Sequence, residues 1–322
     1  MYTAESLLSG LNKNIQLIFG VKIMTRIQAN LLLTLTAMIW GSSFVVQQIG
    51  TGQLGTITFT GSRFLVGAVI VLPFALGQMR RVGQKERRLQ AIDWLGILLT
   101  GCVLLTAAVL QQHGILRTSV TNSGFLTALY VPLVPVLGLI VLKRKVHFAI
   151  WPASISCFVG TYILSGAHNV ELAVGDLWVI SSTIFWATHV MLVGIMARRT
   201  GAPLVVAAGQ FLVCGLGGLT LGFFVEGPTI LQILGAVWGI LYVGIFSVGM
   251  AFTFQVVGQR YTPAADAAII LSSETLFAAL GGMVFLGERL SLMQLSGGVL
   301  ILVSILAVEL VPLTGIGRPR PL

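Results

Sequence analysis

Residues 261–291 read YTPAADAAIILSSETLFAALGGMVFLGERLS, and residues 117–147 read RTSVTNSGFLTALYVPLVPVLGLIVLKRKVH. Laid over each other without a gap, the two share a polar opening, a long apolar run and a turn. The turns differ in charge: Lys143, Arg144 and Lys145 stand where the later copy has Gly287, Glu288 and Arg289. The correspondence is wider than this pair. Gln111 and Gly114 match Gln255 and Gly258 at the same offset of 144. Trp40 in IWGSSFVV matches Trp186 in FWATHVML at an offset of 146, and Arg63 in SRFLVG aligns with Gln210 in GQFLVC at 147. The chain therefore holds two copies of one unit.

The nature of that unit follows from composition. Of 322 residues, 56% are hydrophobic and 9% charged, too few polar side chains to cover a water-soluble surface. Apolar stretches recur near the length that crosses a hydrocarbon core, about 20 residues at 1.5 Å rise each, and backbone groups in lipid must be satisfied within the segment. These are helices. Short alternating strands, which a barrel would need, do not appear. The expected architecture is an all-α polytopic membrane protein of ten transmembrane helices: 29–49, 56–78, 93–112, 119–141, 148–166, 174–196, 203–224, 230–257, 264–286 and 292–312. They divide into a first repeat over 29–167 and a second over 174–312, five helices each. Residues 1–28 form an N-terminal cytoplasmic extension, with Met24 an alternative start, and 313–322 a cytoplasmic tail.

Five crossings is an odd number, so the second copy enters the bilayer upside down. Loop charge should then reverse between copies. MRRVGQKERR after the second span is strongly basic, whereas its counterpart FVEGPT carries only Glu226; TGQLGT is uncharged, whereas its counterpart MARRTG has two arginines. With the turn at Lys143, Arg144 and Lys145 against Gly287, Glu288 and Arg289, three loop pairs switch in the required sense. Short loops rich in Lys and Arg stay cytoplasmic, so both chain ends are expected inside, and the formal charge of +9 is an orientation signal, not a nucleic-acid surface. Inverted repeats suit alternating access, because two similar halves can exchange conformations around a site near mid-membrane.

With WGSSFVV in the first span, SRFLVGA in the second, GFLTALYVPLVP in the fourth and SSETLFAALGGMVFLGERLS in the ninth, the chain from about residue 29 to 312 resembles the drug/metabolite transporter superfamily, of the ten-span EamA type. Two departures stand out: Thr275 occupies the usual proline position after Glu274, and the LGE sequence occurs only in the second half. The resemblance implies a polytopic inner-membrane secondary transporter, an exporter of amino acids, metabolites or drugs, without naming the solute.

Glu274 lies near the middle of the ninth span, where a carboxylate costs about 2.5–3.5 kcal/mol on insertion scales. It reads as a proton- or cation-binding group in a cavity, or as a structural partner of Arg63. Ser273 beside it joins the candidates. Arg63, the basic residue inside a span, reads as a fork for an anionic group or as a structural arginine. Tyr130 occupies the position equivalent to Glu274. Trp40 and Trp186 offer faces for stacking and cation–π contact, or plain helix packing. His189 reads as a proton relay or as a hydrogen-bonded neutral ring. Gln111 and Gln255 would border the pathway at opposite faces, or bond neighbouring helices. Asp266, two turns before Glu274, suits the first turn of its helix. Cys102, Cys157 and Cys214 read as small buried apolar residues, GLGG at 215–218 as close helix packing.

No catalytic or metal-binding cluster and no cofactor motif is expected, since an embedded enzyme needs grouped nucleophiles, ligands or acids. The expected partners are a small-molecule solute, the lipid bilayer, protons and a second copy as a homodimer. A solute importer of the same fold, or a channel or structural membrane protein, is the alternative.

Overall fold

The computed structural model describes residues 24–85, 88–118, 120–141, 143, 147–165, 173–277, 279–280 and 290–311; side chains at 81–85, 120–122 and 309 are outside that description. The Lys143–Arg289 charge contrast, the LGE sequence and both chain ends thus lie largely outside the described residues. Within them every regular element is helical: α1 (Arg26–Gly50), α2 (Thr56–Lys85), α3 (Ala91–Ile115), α4 (Val120–Thr127), α5 (Tyr130–Ile140), α6 (Ile150–Ser165), α7 (Val174–Thr200), α8 (Pro203–Glu226), α9 (Ile230–Gly235), α10 (Val237–Tyr242), α11 (Thr253–Gln259), α12 (Ala264–Leu271) and α13 (Leu292–Leu310). A π-helical segment, Val243–Phe252, joins α10 to α11. Seven stretches are long and apolar enough to cross a membrane, and α6 and Leu292–Val308 are shorter apolar helices. The ninth expected span is described as α12 and the residues to Phe277, with Ala279 and Leu280 beyond.

Large apolar side chains point outward along these helices. Ile49, Phe224 and Trp238 are 72%, 79% and 81% exposed, which water would penalise and lipid does not. Polar side chains turn inward instead; Thr36, Ser43, Gln112 and Gln210 are fully buried.

The two copies pair across their interface by the same contacts. A Cβ on Gly114 would sit 2.8 Å from the carbonyl oxygen of Gly175, and one on Gly258 would sit 3.0 Å from that of Ala29. These are equivalent residue pairs at the offsets found in the sequence. A Cβ on Gly101 would lie 3.0 Å from the Gln210 carbonyl, and one on Gly244, one residue short of the position equivalent to Gly101, 3.0 Å from the Arg63 carbonyl. Helices α2 and α8 pack antiparallel: Thr58 meets Gly222, Gly61 meets Gly218 and Leu65 meets Gly215. Antiparallel contact between matching helices is what an inverted repeat requires.

The same symmetry appears in two caps made across the interface. Glu226, ending α8, accepts from the backbone N–H of Ile57 (2.9 Å) and Thr58 (2.8 Å) and from the Thr58 hydroxyl (2.7 Å). Gln78 Oε1, on α2, accepts from Leu204 N–H at 2.8 Å, at the start of α8. Each helix thus supplies the oxygen that satisfies the first turn of the other, an anion at one end and an amide at the other. Replacing Glu226 by alanine should cost about 0.5–2 kcal/mol, as lost caps do, and lower the melting temperature in detergent. An unchanged melt of Glu226→Ala would show that the cap contributes nothing.

Candidate functional site

Both copies break a helix at the same place. α4 ends at Thr127, Ala128 and Leu129 form a turn, and α5 opens at Tyr130. α12 ends at Leu271, Ser272 and Ser273 form a turn, and helical structure resumes at Glu274. In the first copy Pro132 cannot donate to the Ala128 carbonyl, which takes the Val131 N–H instead at 3.0 Å. The second copy has no proline there. Hydroxyls take over: Ser272 donates to Ile269 O at 2.7 Å, Ser273 to Ile270 O at 2.6 Å and Thr275 to Ser272 O at 3.1 Å. Thr275, the departure from the family pattern, therefore accompanies a break that is present without proline.

The breaks aim Tyr130 and Glu274 into one cavity between the copies, whose empty space, open side included, is about 530 Å³. Trp40, Trp186 and Phe252 form its aromatic wall. Phe252 is the hub: its ring centroid lies 4.6 Å from that of Trp40 and 6.0 Å from that of Trp186, the latter nearly parallel at 22°. The π segment delivers this ring at its last residue and leaves the Ser247 carbonyl to accept from Trp40 Nε1 at 3.4 Å. Its counterpart in α3 is ordinary α-helix, so the two copies differ here.

Polar groups converge on the same cavity. Glu274 is 4% exposed and makes no hydrogen bond or ion pair among the described residues. Tyr130 donates its hydroxyl to Ala268 O at 3.4 Å, and Gln111 donates to the Thr127 hydroxyl at 2.9 Å. Arg63, also 4% exposed, donates from Nη1 to Gln47 Oε1 and lies 5.6 and 5.5 Å from the ring centroids of Phe59 and Phe64. No ion pair joins it to Glu274, so the structural pairing considered for these two residues is not what holds either in place.

Seven of the nine sequence candidates line this cavity: Glu274, Trp40, Tyr130, Trp186, Arg63, Gln111 and Gln255. Gln111 and Gln255 both line it, each about a turn inside the end of its helix at Ile115 and Gln259. His189 and Ser273 lie outside the lining. His189 is fully buried and pairs through Nε2 with Gln210 Oε1 at 2.8 Å. Asp266, in the first turn of α12, forms an ion pair with Arg26 at 2.7 Å. Of the cysteines, Cys157 and Cys214 are buried, but Cys102 is exposed, since its face of α3 points away from the other helices. Phe252, Phe44, Thr127 and Ser247 were not singled out in the sequence. Phe252 has Ala108 at its equivalent position, so the repeat conceals it, and its one signal is a spacing of three residues from Gln255.

The model of the EamA-like transporter family matches residues 27–166 and 173–310. An uncharacterized transporter of Archaeoglobus fulgidus is 30% identical over 292 residues, covering 90% of this chain and 88% of that protein. The uncharacterized transporter YwfM of Bacillus subtilis is 23% identical over 286 residues, covering 88% of this chain and 94% of its own. A solved structure titled only as the crystal structure of a protein superposes with a TM-score of 0.72 at 16% identity, over 91% of this chain and all of that one.

Proposed function

The chain belongs to the EamA-like transporter family, and on that premise we propose that it is a secondary carrier that moves a small organic solute outward by alternating access. Glu274 is the coupling group, holding in turn a proton and a cationic group of the solute. The observation that carries this reading is an unpaired, buried carboxylate at a helix break, in the cavity where two inverted copies meet. Broken helices at a repeat interface are how carriers present polar groups at mid-membrane without exposing backbone to lipid. The same proposal has ten crossings in an inner membrane with both chain ends cytoplasmic, supported by the Lys and Arg distribution.

The test has two steps. Purified protein is melted in the presence of amino acids, nucleosides, polyamines and cationic drugs, because a bound solute raises the melting temperature by mass action. The stabilising solute is then loaded into proteoliposomes, and entry of its labelled form is followed. A carrier must show faster entry when unlabelled solute waits inside, because loaded transporters exchange. Entry indifferent to internal solute would contradict alternating access and favour a channel.

A further inference from the structure

We infer that the solute carries a carboxylate, and that Arg63 from the first copy, with Gln255 and Trp186 from the second, forms the subsite that receives it. This rests on the carrier reading and adds the chemical class of the cargo. The three side chains line one cavity. Arg63 makes a single hydrogen bond among the described residues, to Gln47, and its Nε is buried without a partner. Gln255 is 1% exposed, and both its Nε2 and its Oε1 lack partners. Trp186 Nε1 is likewise buried and unpartnered.

Buried donors left unmade are costly, and three of them, Arg63 Nε, Gln255 Nε2 and Trp186 Nε1, on residues that line one cavity, are organised for an acceptor that the described residues do not provide. An anionic acceptor suits this site best, because a buried guanidinium inside a span gains most from a counter-charge and Glu274 forms no ion pair with it. The planar fork of Arg63 has one arm on Gln47 and the Phe59 and Phe64 rings against it. That leaves Nε and Nη2 for the paired oxygens of a carboxylate. Gln255 and Trp186 add N–H donors from the opposite copy, so an anion bound here bridges the two halves. Trp40, Trp186 and Phe252 then face the body of the solute, which favours an aromatic or other apolar group.

Paired probes test this: benzoate against benzamide, and phenylacetate against phenylacetamide, by melting shift and calorimetry on the full chain. Both acids are expected to stabilise the wild type while the amides do not. Arg63→Gln is expected to weaken acid binding at least tenfold, and Arg63→Lys to restore part of it. Because Arg63 also holds Gln47, a second variant removes the fold as an explanation. Gln255→Leu breaks no hydrogen bond among the described residues, and it is expected to keep or raise the ligand-free melting temperature while weakening acid binding several-fold. No shift with either acid, equal shifts with the amides, or Gln255→Leu and Arg63→Gln proteins that bind acids as the wild type does would overturn the assignment. Arg63-dependent binding without exchange in proteoliposomes would sink the carrier reading and leave the subsite standing.

Discussion

In proteoliposomes, the Glu274→Gln variant is expected to lose solute movement driven by a pH gradient, while the folded protein melts no lower than the wild type. The side chains differ little in shape, so the cavity is kept; what is lost is the negative charge that alternates between proton and solute. Hydrogen bonds to charged groups contribute about 1.5–3 kcal/mol each, so transport should fall by about tenfold or more. Stability should not follow, because among the described residues the carboxylate has no partner to lose and an amide is cheaper than a charge at mid-membrane. Transport that keeps its pH dependence in this variant would remove Glu274 from the mechanism.

The second large effect is structural. Gly61 and Gly218 bring α2 and α8 together at the interface of the copies: a Cβ on Gly218 would lie 2.8 Å from the Gly61 Cα, and one on Gly61 only 2.4 Å from the Leu219 nitrogen. Both obstacles are backbone, so no side-chain rotation relieves them and the helices must separate. Gly218→Val is expected to cost about 1–3 kcal/mol or more and to abolish transport, because α2 also carries Arg63. Wild-type melting and transport in this variant would show that the close approach is dispensable.

The fold was largely legible because lipid leaves a chain few options. Apolar runs of spanning length have to be helices, and an odd number of crossings has to invert the second copy, so the spacing of Trp40 from Trp186 and of Gly114 from Gly258 already implied the interface that Gly175 and Ala29 now define. The breaks at Ala128 and Ser272 were less readable. Pro132 marks the first, but serine and threonine hydroxyls accomplish the second, and their back-bonding occurs equally in unbroken helices. The site was legible where a polar residue violates the apolar rule, as at Glu274, Arg63 and Gln255. It was illegible where the cavity wall is made of residues any span contains, such as Phe252, and where a polar residue bonds a neighbouring helix away from the cavity, as His189 does with Gln210. The π segment from Val243 to Phe252 has no composition that distinguishes it from α-helix.

Sidedness of the two copies is the claim on which transport rests, and thiol labelling measures it most directly. Cysteine is placed singly at Arg88 and at Pro228, in corresponding loops of the two copies, with exposed Cys102 changed to serine to silence the background. With a membrane-impermeant maleimide added to intact cells, Pro228→Cys should react at once and Arg88→Cys only after the membrane is opened. Labelling of both positions from the same side would mean that the copies are not inverted, and the cavity between them would have no second face to open.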